Sequence, residues 1–352
     1  MLIRSSQAAV LFESFKPLEI VEIDFPKNLE PGQVLVELIT SGICGAQINE
    51  IDAVKGDDLF LPHLMGHEGL AKVLEVGPGV HKIHSGDTVI MHWRPSKGIV
   101  AEPPKYKYEG KIVNAGWVTT FNKHAIVSEN RLTKINGEEI NPIIAPLLGC
   151  ALTTALGVLE NDAQLTHRDS LLIMGFGGVG ISIAKFAQFM NVRNIVVVDS
   201  DPNKRNLAKK LGIHNFIHFE NKEKLSQKLK IVFGDQKPSV AIDTSGKPEA
   251  IEICYEESSE AGRIILVGVP RIGDKTLIYT LPLHFGKSIK GSKGGGSVPD
   301  LDIPIILDLL QSRKISMDDY PVTSLSFSEI NIGIEKLRKG HLGRIVIDFS
   351  LN

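Results

Sequence analysis

The sequence is poor in cysteine, with three in 352 residues, which excludes a disulfide-stapled secreted domain. A reducing, cytoplasmic setting is the simplest interpretation of so few thiols. Charge of one sign is not in excess either: 39 Lys and Arg face 41 Asp and Glu, a net charge of −2, so neither a nucleic-acid surface nor a basic membrane patch is indicated. Long apolar runs are also missing, and we expect no signal peptide at the start and no transmembrane helix.

Two regions of different pattern follow one another along the chain. Its length exceeds what one hydrophobic core usually organises, so two domains are expected. Up to about residue 150, short apolar runs such as QVLVELI and AKVLEVG are separated by Gly, Pro and Asp, which predicts a β-rich domain. Beyond it, strands such as NIVVVD alternate with helices such as GVGISIAKFAQFM, which predicts an α/β domain with a doubly wound parallel sheet.

A glycine-rich turn lies between a predicted strand and a predicted helix. The run LLIMGFGGVG places Gly175, Gly177 and Gly180 in G-x-G-x-x-G spacing, and Gly178 and Val179 belong to the same turn. The first glycine permits the tight turn, the second a close approach to a pyrophosphate, and the third close packing of helix on strand. The pattern predicts a dinucleotide site; the alternative is a glycine-rich turn without a ligand.

The next predicted strand ends at Asp199, about 20 residues after the last of these glycines. A carboxylate there bonds both ribose hydroxyls and repels a 2′-phosphate, which favours NAD over NADP. Lys204 and Arg205 follow shortly after it. Contact with the ribose or the phosphates is one interpretation, which includes Lys204 in the cofactor site; solvated helix charges are the other.

Three residues that are far apart in the sequence, Cys44, His67 and Cys150, are the candidate metal ligands. Thiolate and imidazole are good zinc ligands, and three protein ligands leave a fourth position open for water or substrate. Glu68, next to His67, is expected behind the metal or as an exchangeable ligand. Spacing alone leaves open the alternative of two inert buried cysteines and a structural histidine.

The run GHEGLAKVLEVGPGVHKIHSGDTVIM resembles the zinc signature of the medium-chain alcohol dehydrogenase family. The similarity continues through nearly the whole chain, in PGQVLVELITSGICG, GCALTTALGVL, GFGGVG, VVDSDPNK and KGSKGGG. The resemblance implies a GroES-like β-rich catalytic domain over residues 1–151, a Rossmann NAD-binding domain over 152–293, and a segment 294–352 that returns to the catalytic domain. It also implies zinc on the three candidate ligands and NAD at the glycine-rich turn.

Further positions follow by counting from the matched motifs. Thr154 is expected near the nicotinamide, and Trp93 is expected to line the substrate pocket, with ordinary packing as the alternative. Arg344 is expected to approach the pyrophosphate, with a surface charge as the alternative. The strand end that cradles the nicotinamide half is expected at Val267, Gly268 and Val269.

The segment that follows Trp93 departs from the family pattern. Many members hold a second, structural zinc in a lobe with four closely spaced cysteines, whereas RPSKGIVAEPPKYKYEGKIVNAG contains none. We therefore expect a single catalytic zinc, with the lobe held by other packing, such as that of Tyr106, Tyr108 and Trp117. The remaining cysteine, Cys254, is expected in the core of the second domain.

The helix after Cys44 departs as well. Where the family usually has a hydroxyl and a histidine that pass the substrate proton outward, this chain has Ala46 and Asn49, and Gln47 replaces an acidic residue. Neither alanine nor asparagine titrates near neutrality, so the usual relay is missing. Water, Glu68, Glu50, His92 or a neighbouring hydroxyl of the substrate is left as the route for the proton.

A polar, cationic cluster of His92, Trp93 and Arg94 is predicted at the mouth of the substrate pocket, with Asn49 as a further candidate contact. An arginine pairs well with a carboxylate or phosphate, which favours a polyhydroxylated or acidic substrate such as a sugar derivative. A salt bridge within the lobe is an equally good interpretation of Arg94.

The sequence therefore predicts a zinc- and NAD-dependent alcohol dehydrogenase that acts on a small molecule, without nucleic acid or membrane as partner. A polyol, sugar or hydroxymethyl-thiol dehydrogenase with the same site is an alternative. An NAD-binding protein that has lost turnover is the alternative from another class. The resemblance further implies a homodimer or homotetramer.

Overall fold

The computed structural model describes residues 3–136 and 140–351. The chain divides into two compact units. The first comprises Met1–Cys150, Val298–Gln311 and Pro321–Asn352, and the second comprises Ala151–Ser297 and Ser312–Tyr320. This division differs from the domain ranges predicted from the sequence at residues 151, 294–297 and 312–320, which cluster with the second unit.

One sheet of the first unit has five strands, which are β1 (Ser5–Leu11), β2 (Glu19–Asp24), β4 (His63–Leu64), β7 (Tyr106–Tyr108) and β8 (Lys111–Val113). Their order across the sheet is β4-β1-β2-β7-β8. The pairs β1–β2, β1–β4, β2–β7 and β7–β8 are antiparallel.

The other sheet of this unit has seven strands, which are β3 (Gln33–Ile43), β5 (Gly69–Val76), β6 (Thr88–Met91), β9 (His124–Ser128), β10 (Leu132–Ile135), β17 (Val322–Ser326) and β18 (Arg344–Asp348). Their order is β10-β6-β5-β3-β18-β17, and β9 also pairs with β3. The helices of the unit are α1 (Gly45–Ile51), α7 (Pro299–Gln311) and α8 (Ile330–Arg338). The C-terminal strands β18 and β17 thus extend this sheet beyond β3.

Strand β3 has an almost entirely apolar sequence because a core cluster lies on each of its sides. Val34, Val36 and Leu38 point into one core cluster, and Leu35 points into another. Successive side chains of a strand face opposite sides, so a strand with a core on each side needs apolar residues at both parities.

The second unit contains a six-stranded parallel sheet, with β11 (Ser170–Met174), β12 (Asn194–Asp199), β13 (Asn215–His218), β14 (Val240–Asp243), β15 (Arg263–Leu266) and β16 (Ser288–Gly291). The order β13-β12-β11-β14-β15-β16 is that of the doubly wound dinucleotide-binding fold. Its helices are α2 (Ala151–Gly157), α3 (Gly178–Phe189), α4 (Lys204–Lys210), α5 (Lys222–Phe233) and α6 (Pro248–Glu257). Cys254 is fully buried, as predicted.

None of the helices in the described part of the chain is both long enough and apolar enough to cross a membrane.

Candidate active site

Three different connections of the first unit bring the candidate metal ligands together. Cys44 links β3 to α1, His67 lies in the turn between β4 and β5, and Cys150 follows the 3₁₀ helix Ala145–Gly149. The two sulphur atoms and a ring nitrogen of His67 all lie within 4.8 Å of one another. Ligands around a tetrahedral zinc are roughly 3.5–3.8 Å apart, so this spacing suits the ion with little rearrangement.

The surroundings of His67 test whether a metal fits. Its Nε2 atom is buried and has no hydrogen-bond partner among the described residues. Leaving a buried polar nitrogen unpaired costs about 1–3 kcal/mol, so such an atom calls for an explanation. Two neighbouring thiols and an imidazole make a donor set that zinc prefers, and the residues therefore fit this ion.

Gln47 on α1 connects two of these residues. Its Oε1 accepts a hydrogen bond from the backbone N–H of Cys44 (2.9 Å), and its Nε2 donates to Nδ1 of His67. The side chain is 1% exposed. With Nδ1 as an acceptor, the neutral imidazole carries its proton on Nε2, the atom without a hydrogen-bond partner.

The two thiols share one negative charge. The hydrogen bond from Cys150 holds the pKa of Cys44 well below its usual value, and the positive charge of Arg344 lowers it further. The same interaction with Cys44, together with burial, raises the pKa of Cys150. Burial lowers the pKa of His67, but the Cys44 thiolate and the Glu68 carboxylate together raise it above its usual value. The Cys44 thiolate and the imidazole of His67 therefore stabilise each other's charged forms before any metal binds.

Glu68 and Arg344 lie beside this group as a buried pair. Nη2 of Arg344 lies 3.3 Å from Oε2 of Glu68, and neither side chain is more than 4% exposed. Nη1 of Arg344 donates to the carbonyl oxygen of Ile43, the residue before Cys44. A Cβ on Gly42 would meet Oε1 of Glu68 at 2.3 Å, so this glycine makes room for the carboxylate. Arg344, predicted to approach a pyrophosphate, is thus buried against Glu68.

Helix α1 carries the residues that replace the expected relay. Ala46 is exposed and Asn49 is half-buried. Glu50 is also exposed, and one of its oxygens lies 4.0 Å from Nε2 of His63. The same nitrogen is 2.8 Å from Oδ2 of Asp58. Desolvation raises the pKa of Glu50.

His92 lies inside the protein. Its Nδ1 is 2.7 Å from the carbonyl oxygen of Arg94, and its Nε2 is 3.0 Å from Oγ1 of Thr133. Thr133 donates to Asp300 (2.7 Å), which pairs with Lys82 (2.9 Å). Burial lowers the pKa of His92 to about 4, so the ring is neutral at pH 7. These contacts make His92 a link between β6, β10 and α7 rather than a solvent-facing group.

Trp93 and Arg94 belong to a cluster that includes two residues from elsewhere. The guanidinium carbon of Arg94 lies 5.6 Å from the centroid of the Trp93 ring. Arg131 donates to the carbonyl oxygen of Trp93 and lies 5.2 Å from the centroid of Trp117. Sequence reasoning did not find Arg131, because no local motif marks it. Trp117 was expected only to pack the lobe.

The loop between β11 and α3 has the geometry that its glycine spacing predicts. Gly175 has a φ of +99°, which favours glycine. A Cβ on Gly180 would lie 2.1 Å from the carbonyl oxygen of Gly175, whereas a Cβ on Gly177 would meet nothing within 4 Å. Gly178 and Val179 open α3, whose first N–H groups face this loop end. Space at Gly177 beside a helix N-terminus suits a phosphate group.

Asp199, at the end of β12, organises the neighbouring backbone. It accepts hydrogen bonds from the N–H of Phe176 (2.7 Å) and of Asp201 (2.9 Å). Lys204 is 8% exposed and lies 2.8 Å from Oδ2 of Asp199. The interpretation of Lys204 as a solvated charge is therefore wrong. Arg205 instead packs against the ring and the carbonyl oxygen of Phe216.

The other positions found by counting, apart from Trp93 and Arg344, lie in the second unit. Thr154 is buried within α2. Val267 and Gly268 follow β15, and both N–H groups donate to the carbonyl oxygen of Asp243. A Cβ on Gly268 would lie 2.0 Å from the nitrogen of Gly246, and Val269 is half exposed.

Two family models match the chain. The model for an alcohol dehydrogenase GroES-like domain matches residues 30–137, and the model for a zinc-binding dehydrogenase matches residues 178–312. Together they cover more than half of the sequence. The chain belongs to the zinc-dependent medium-chain alcohol dehydrogenase family.

Relatives of this dehydrogenase match it over almost their full length. The S-(hydroxymethyl)glutathione dehydrogenase of Synechocystis sp. is 26% identical over 370 residues, 98% of this chain and 100% of the relative. An alcohol dehydrogenase zinc-binding domain protein from Burkholderia ambifaria has a TM-score of 0.88 at 22% identity, covering 98% of this chain and 99% of its own. Benzyl alcohol dehydrogenase from Acinetobacter calcoaceticus has a TM-score of 0.85 at 24% identity, with the same coverage.

Family membership confirms the resemblance drawn from the motifs and the predicted fold class, a GroES-like β-rich domain with a Rossmann-type domain. It also identifies the protein as an oxidoreductase that acts on CH–OH groups.

Proposed function

We propose that Cys44, His67 and Cys150 bind a single zinc ion, the catalytic one, and that NAD binds at the loop 175–180 with its adenosine ribose on Asp199. The dehydrogenase then transfers a hydride between NAD and an alcohol or carbonyl substrate. Thr154 and the strand end at Val267, Gly268 and Val269 serve the nicotinamide half. Lys204 holds Asp199 in place for the ribose.

The observation that carries this proposal is the imidazole ring of His67. Its buried Nε2 atom has no hydrogen-bond partner among the described residues, and one of its ring nitrogens lies within 4.8 Å of the sulphur atoms of Cys44 and Cys150. Zinc bound there supplies a Lewis acid that polarises the substrate oxygen, and NAD supplies the hydride acceptor. Gln47 orients the imidazole ring. Glu68 and Arg344 supply buried charge of both signs behind the ligands, and Arg344 favours the thiolate of Cys44.

The substrate proton needs a route other than Ala46 and Asn49. Glu68 and His92 are fully buried, whereas Glu50 reaches solvent. A raised pKa brings a carboxylate nearer to the pH at which it exchanges protons, which suits Glu50 for this transfer. We therefore assign the exit of the proton to Glu50 and water.

The substrate is a small polar alcohol, in the class of polyols, sugar derivatives or hydroxymethyl-thiol adducts. Trp93 and Arg94 support a polar rather than a purely apolar partner, because a guanidinium group stacked on an indole can still bond an oxygen. The name of the Synechocystis relative supports the third class.

The protein assembles as a homodimer or homotetramer through the edge of the parallel sheet. Strand β16 is the last in the sheet order, so one side of its backbone is left without a strand neighbour among the described residues. Large apolar side chains nearby are strongly exposed, namely Leu277, Tyr279 and Phe285. Apolar surface of this kind is typical of an interface between subunits.

The test is zinc content together with NAD-linked turnover, in protein purified without added metal. We expect about one zinc per chain, lost in Cys150→Ser and kept in Cys254→Ala, together with NADH formation on polar alcohols. About two zinc ions would contradict the single site. Absence of zinc that added zinc does not restore would overturn the proposal.

A second candidate function is a nucleotide-binding protein without turnover, which the replacement of the relay by Ala46 and Asn49 favours. It predicts NAD binding without NADH formation on any alcohol. Loss of one positioned acid–base group typically costs about 10²–10⁴-fold in rate. A rise of that order in Ala46→Ser combined with Asn49→His would show that a slow relay, not an absent site, limits the wild type.

A further inference from the structure

Between α7 and β17 the chain leaves the first unit and joins the second over the short stretch Ser312–Tyr320, which is called the crossing segment. Three of its side chains are buried, namely those of Ile315, Met317 and Tyr320. Buried apolar side chains fix a segment in place because exposing them to water costs free energy. The crossing segment is therefore a packed part of the second unit rather than a loose linker.

Tyr320, at the end of this segment, reaches the first turn of α3. Its hydroxyl group donates to the carbonyl oxygen of Gly178 at 2.8 Å. The hydroxyl group of Ser182 donates to the same oxygen, also at 2.8 Å, and the two hydroxyl oxygens are 3.1 Å apart. Ser182 is fully buried and Tyr320 is 5% exposed. Two hydroxyl groups thus converge, away from water, on one backbone carbonyl at the start of this helix.

The peptide group that accepts these two hydrogen bonds also carries the N–H of Val179. A peptide group is planar, so a contact that fixes its C=O also fixes the direction of its N–H. Helix α3 begins at Gly178, and the N–H of Ile181 donates to the carbonyl oxygen of the N-cap residue Gly177. The N–H of Val179 precedes that bond and belongs to the first-turn donors that a helix leaves without an intrahelical partner. Such donors are the ones that bind phosphate groups.

The two hydroxyl groups also affect how strongly this N–H donates. Hydrogen bonds polarise one another in surroundings of low dielectric constant, so a carbonyl that accepts two O–H donors belongs to a peptide group whose N–H is a stronger donor. Packing alone asks only for an apolar ring at position 320. The hydroxyl group of Tyr320 adds a contact to the glycine-rich loop itself.

We propose that Tyr320 is a positioning residue of the NAD site. Together with Ser182, it sets the direction and the donor strength of the Val179 N–H toward the pyrophosphate of the cofactor. This inference rests on the proposed function, because it needs NAD at the loop 175–180. Tyr320 acts through the backbone of Gly178 and needs no contact of its own with the cofactor.

The experiment measures dissociation constants of the full chain for NADH, by fluorescence titration, and for ADP-ribose and adenosine, by competition with NADH. In Tyr320→Phe we expect NADH and ADP-ribose to bind roughly 3- to 10-fold more weakly, the usual range for one hydrogen bond. Adenosine has no pyrophosphate and should bind as it does to the wild type. The ratio of ADP-ribose to adenosine affinity is the readout that a merely structural role would not move.

Tyr255→Phe is the matched control. Tyr255 is 3% exposed, and its hydroxyl group donates to the carbonyl oxygen of Tyr279 at 2.7 Å. The variant loses a comparable buried hydrogen bond in the same unit, but one that does not involve the glycine-rich loop. Its affinities for all three ligands should equal those of the wild type.

A second variant, Ser182→Ala, removes the other hydroxyl group from the carbonyl oxygen of Gly178. Alanine favours the helix more than serine does, so this variant should fold. It should weaken NADH and ADP-ribose in the same range as Tyr320→Phe and leave adenosine unchanged.

Unchanged affinity for NADH and ADP-ribose in both Tyr320→Phe and Ser182→Ala would overturn the inference and leave the proposed function standing. Equal weakening of adenosine and ADP-ribose would overturn it as well, because the effect would then lie outside the phosphate contacts. The same holds for equal weakening in Tyr255→Phe, which would show a general effect on the unit. Failure of the wild type to bind NADH and ADP-ribose would overturn the proposed NAD site, and this inference with it.

Discussion

At the scale of single residues, Gln47 sets the state of the candidate metal site. Its amide oxygen accepts from the N–H of Cys44, so its amide nitrogen must face Nδ1 of His67. A metal-binding histidine usually donates its other N–H to a carboxylate or carbonyl oxygen, and a glutamine in this orientation offers a donor instead. Zinc binding by Nε2 therefore requires the amide to turn or the ring to lose its proton.

Replacing Gln47 by glutamate tests whether the amide group opposite Nδ1 of His67 limits zinc binding by Nε2. Gln47→Glu keeps an acceptor for Cys44 and supplies a second one for Nδ1–H of His67, which frees Nε2 for the metal. We expect zinc affinity to rise roughly 10- to 100-fold, the range typical of such supporting contacts. Competition with a zinc chelator measures it. The control Gln47→Met, which removes both contacts, should weaken binding, and tighter binding in Gln47→Met than in Gln47→Glu would contradict the account.

The buried side chain of His92 should make the free energy of unfolding depend on pH. Burial lowers its folded-state pKa to about 4, whereas an unfolded histidine titrates at about 6.5. As the pH falls from about 6.5 to about 4, the unfolded chain gains a proton that the folded chain refuses, and stability falls by up to about 3 kcal/mol. Above about pH 6.5 this contribution is fully present.

The variant His92→Gln should flatten this dependence, because an amide keeps polar contacts to Arg94 and Thr133 but does not titrate. Thermal unfolding followed across this pH range compares the variant with the wild type. His84→Gln is the control, since the side chain of His84 is 73% exposed. Equal pH slopes in all three proteins would refute the assignment.

At the scale of elements, the glycines of the β11–α3 loop have two different roles, one in the backbone fold and one in the proposed cofactor site. Gly175 and Gly180 are required by the backbone itself, through a positive φ and a close approach. Gly177 has open space where its side chain would be and an extended backbone that any residue adopts. The fold therefore does not require a glycine at position 177, whereas the proposed NAD site does.

Two alanine substitutions distinguish these roles. Gly180→Ala should destabilise the second unit by about 1–3 kcal/mol, because its Cβ would overlap the carbonyl oxygen of Gly175. Gly177→Ala should unfold at the wild-type temperature yet bind NADH at least about tenfold more weakly, equivalent to about 1.4 kcal/mol. Thermal denaturation and NADH fluorescence titration measure the two effects. Wild-type NADH affinity in Gly177→Ala would place the pyrophosphate elsewhere.

At the scale of the whole molecule, the first unit is assembled from separate parts of the chain. Strand β18 lies between β3 and β17 in the seven-stranded sheet, and its first residue, Arg344, reaches Glu68. Asp300 of α7 pairs with Lys82. Residues beyond 297 thus complete the core and the electrostatics around the candidate metal ligands.

Zinc should therefore stabilise the first unit selectively. A ligand at about 1,000 times its Kd adds about 4 kcal/mol to the unit that holds it. We expect hydrogen exchange to slow around Cys44, His67 and Cys150 when zinc is added, with little change in the strands of the second unit. Cys150→Ser should abolish this protection, whereas Cys254→Ala should keep it. Equal protection of both units would contradict a site confined to the first.

Local patterns by themselves determined the alternation of strands and helices, the glycine loop and the carboxylate at the end of β12. These features depend on neighbours in the sequence and on backbone conformation, which spacing records. Motif resemblance predicted that Cys44, His67 and Cys150 form one site, although Cys150 lies more than 80 residues beyond the other two in the sequence.

Only the tertiary structure decided which side chains surround those motifs. It shows that Lys204, for which the sequence left two interpretations, pairs with Asp199. It also shows that Arg344 is buried against Glu68 and that Arg131 donates to the carbonyl oxygen of Trp93. The physical reason is that burial and charge pairing depend on residues from distant parts of the chain, and such contacts leave no period or spacing in the sequence. The electrostatics of this site thus came from the fold, while its candidate ligands were readable in the sequence.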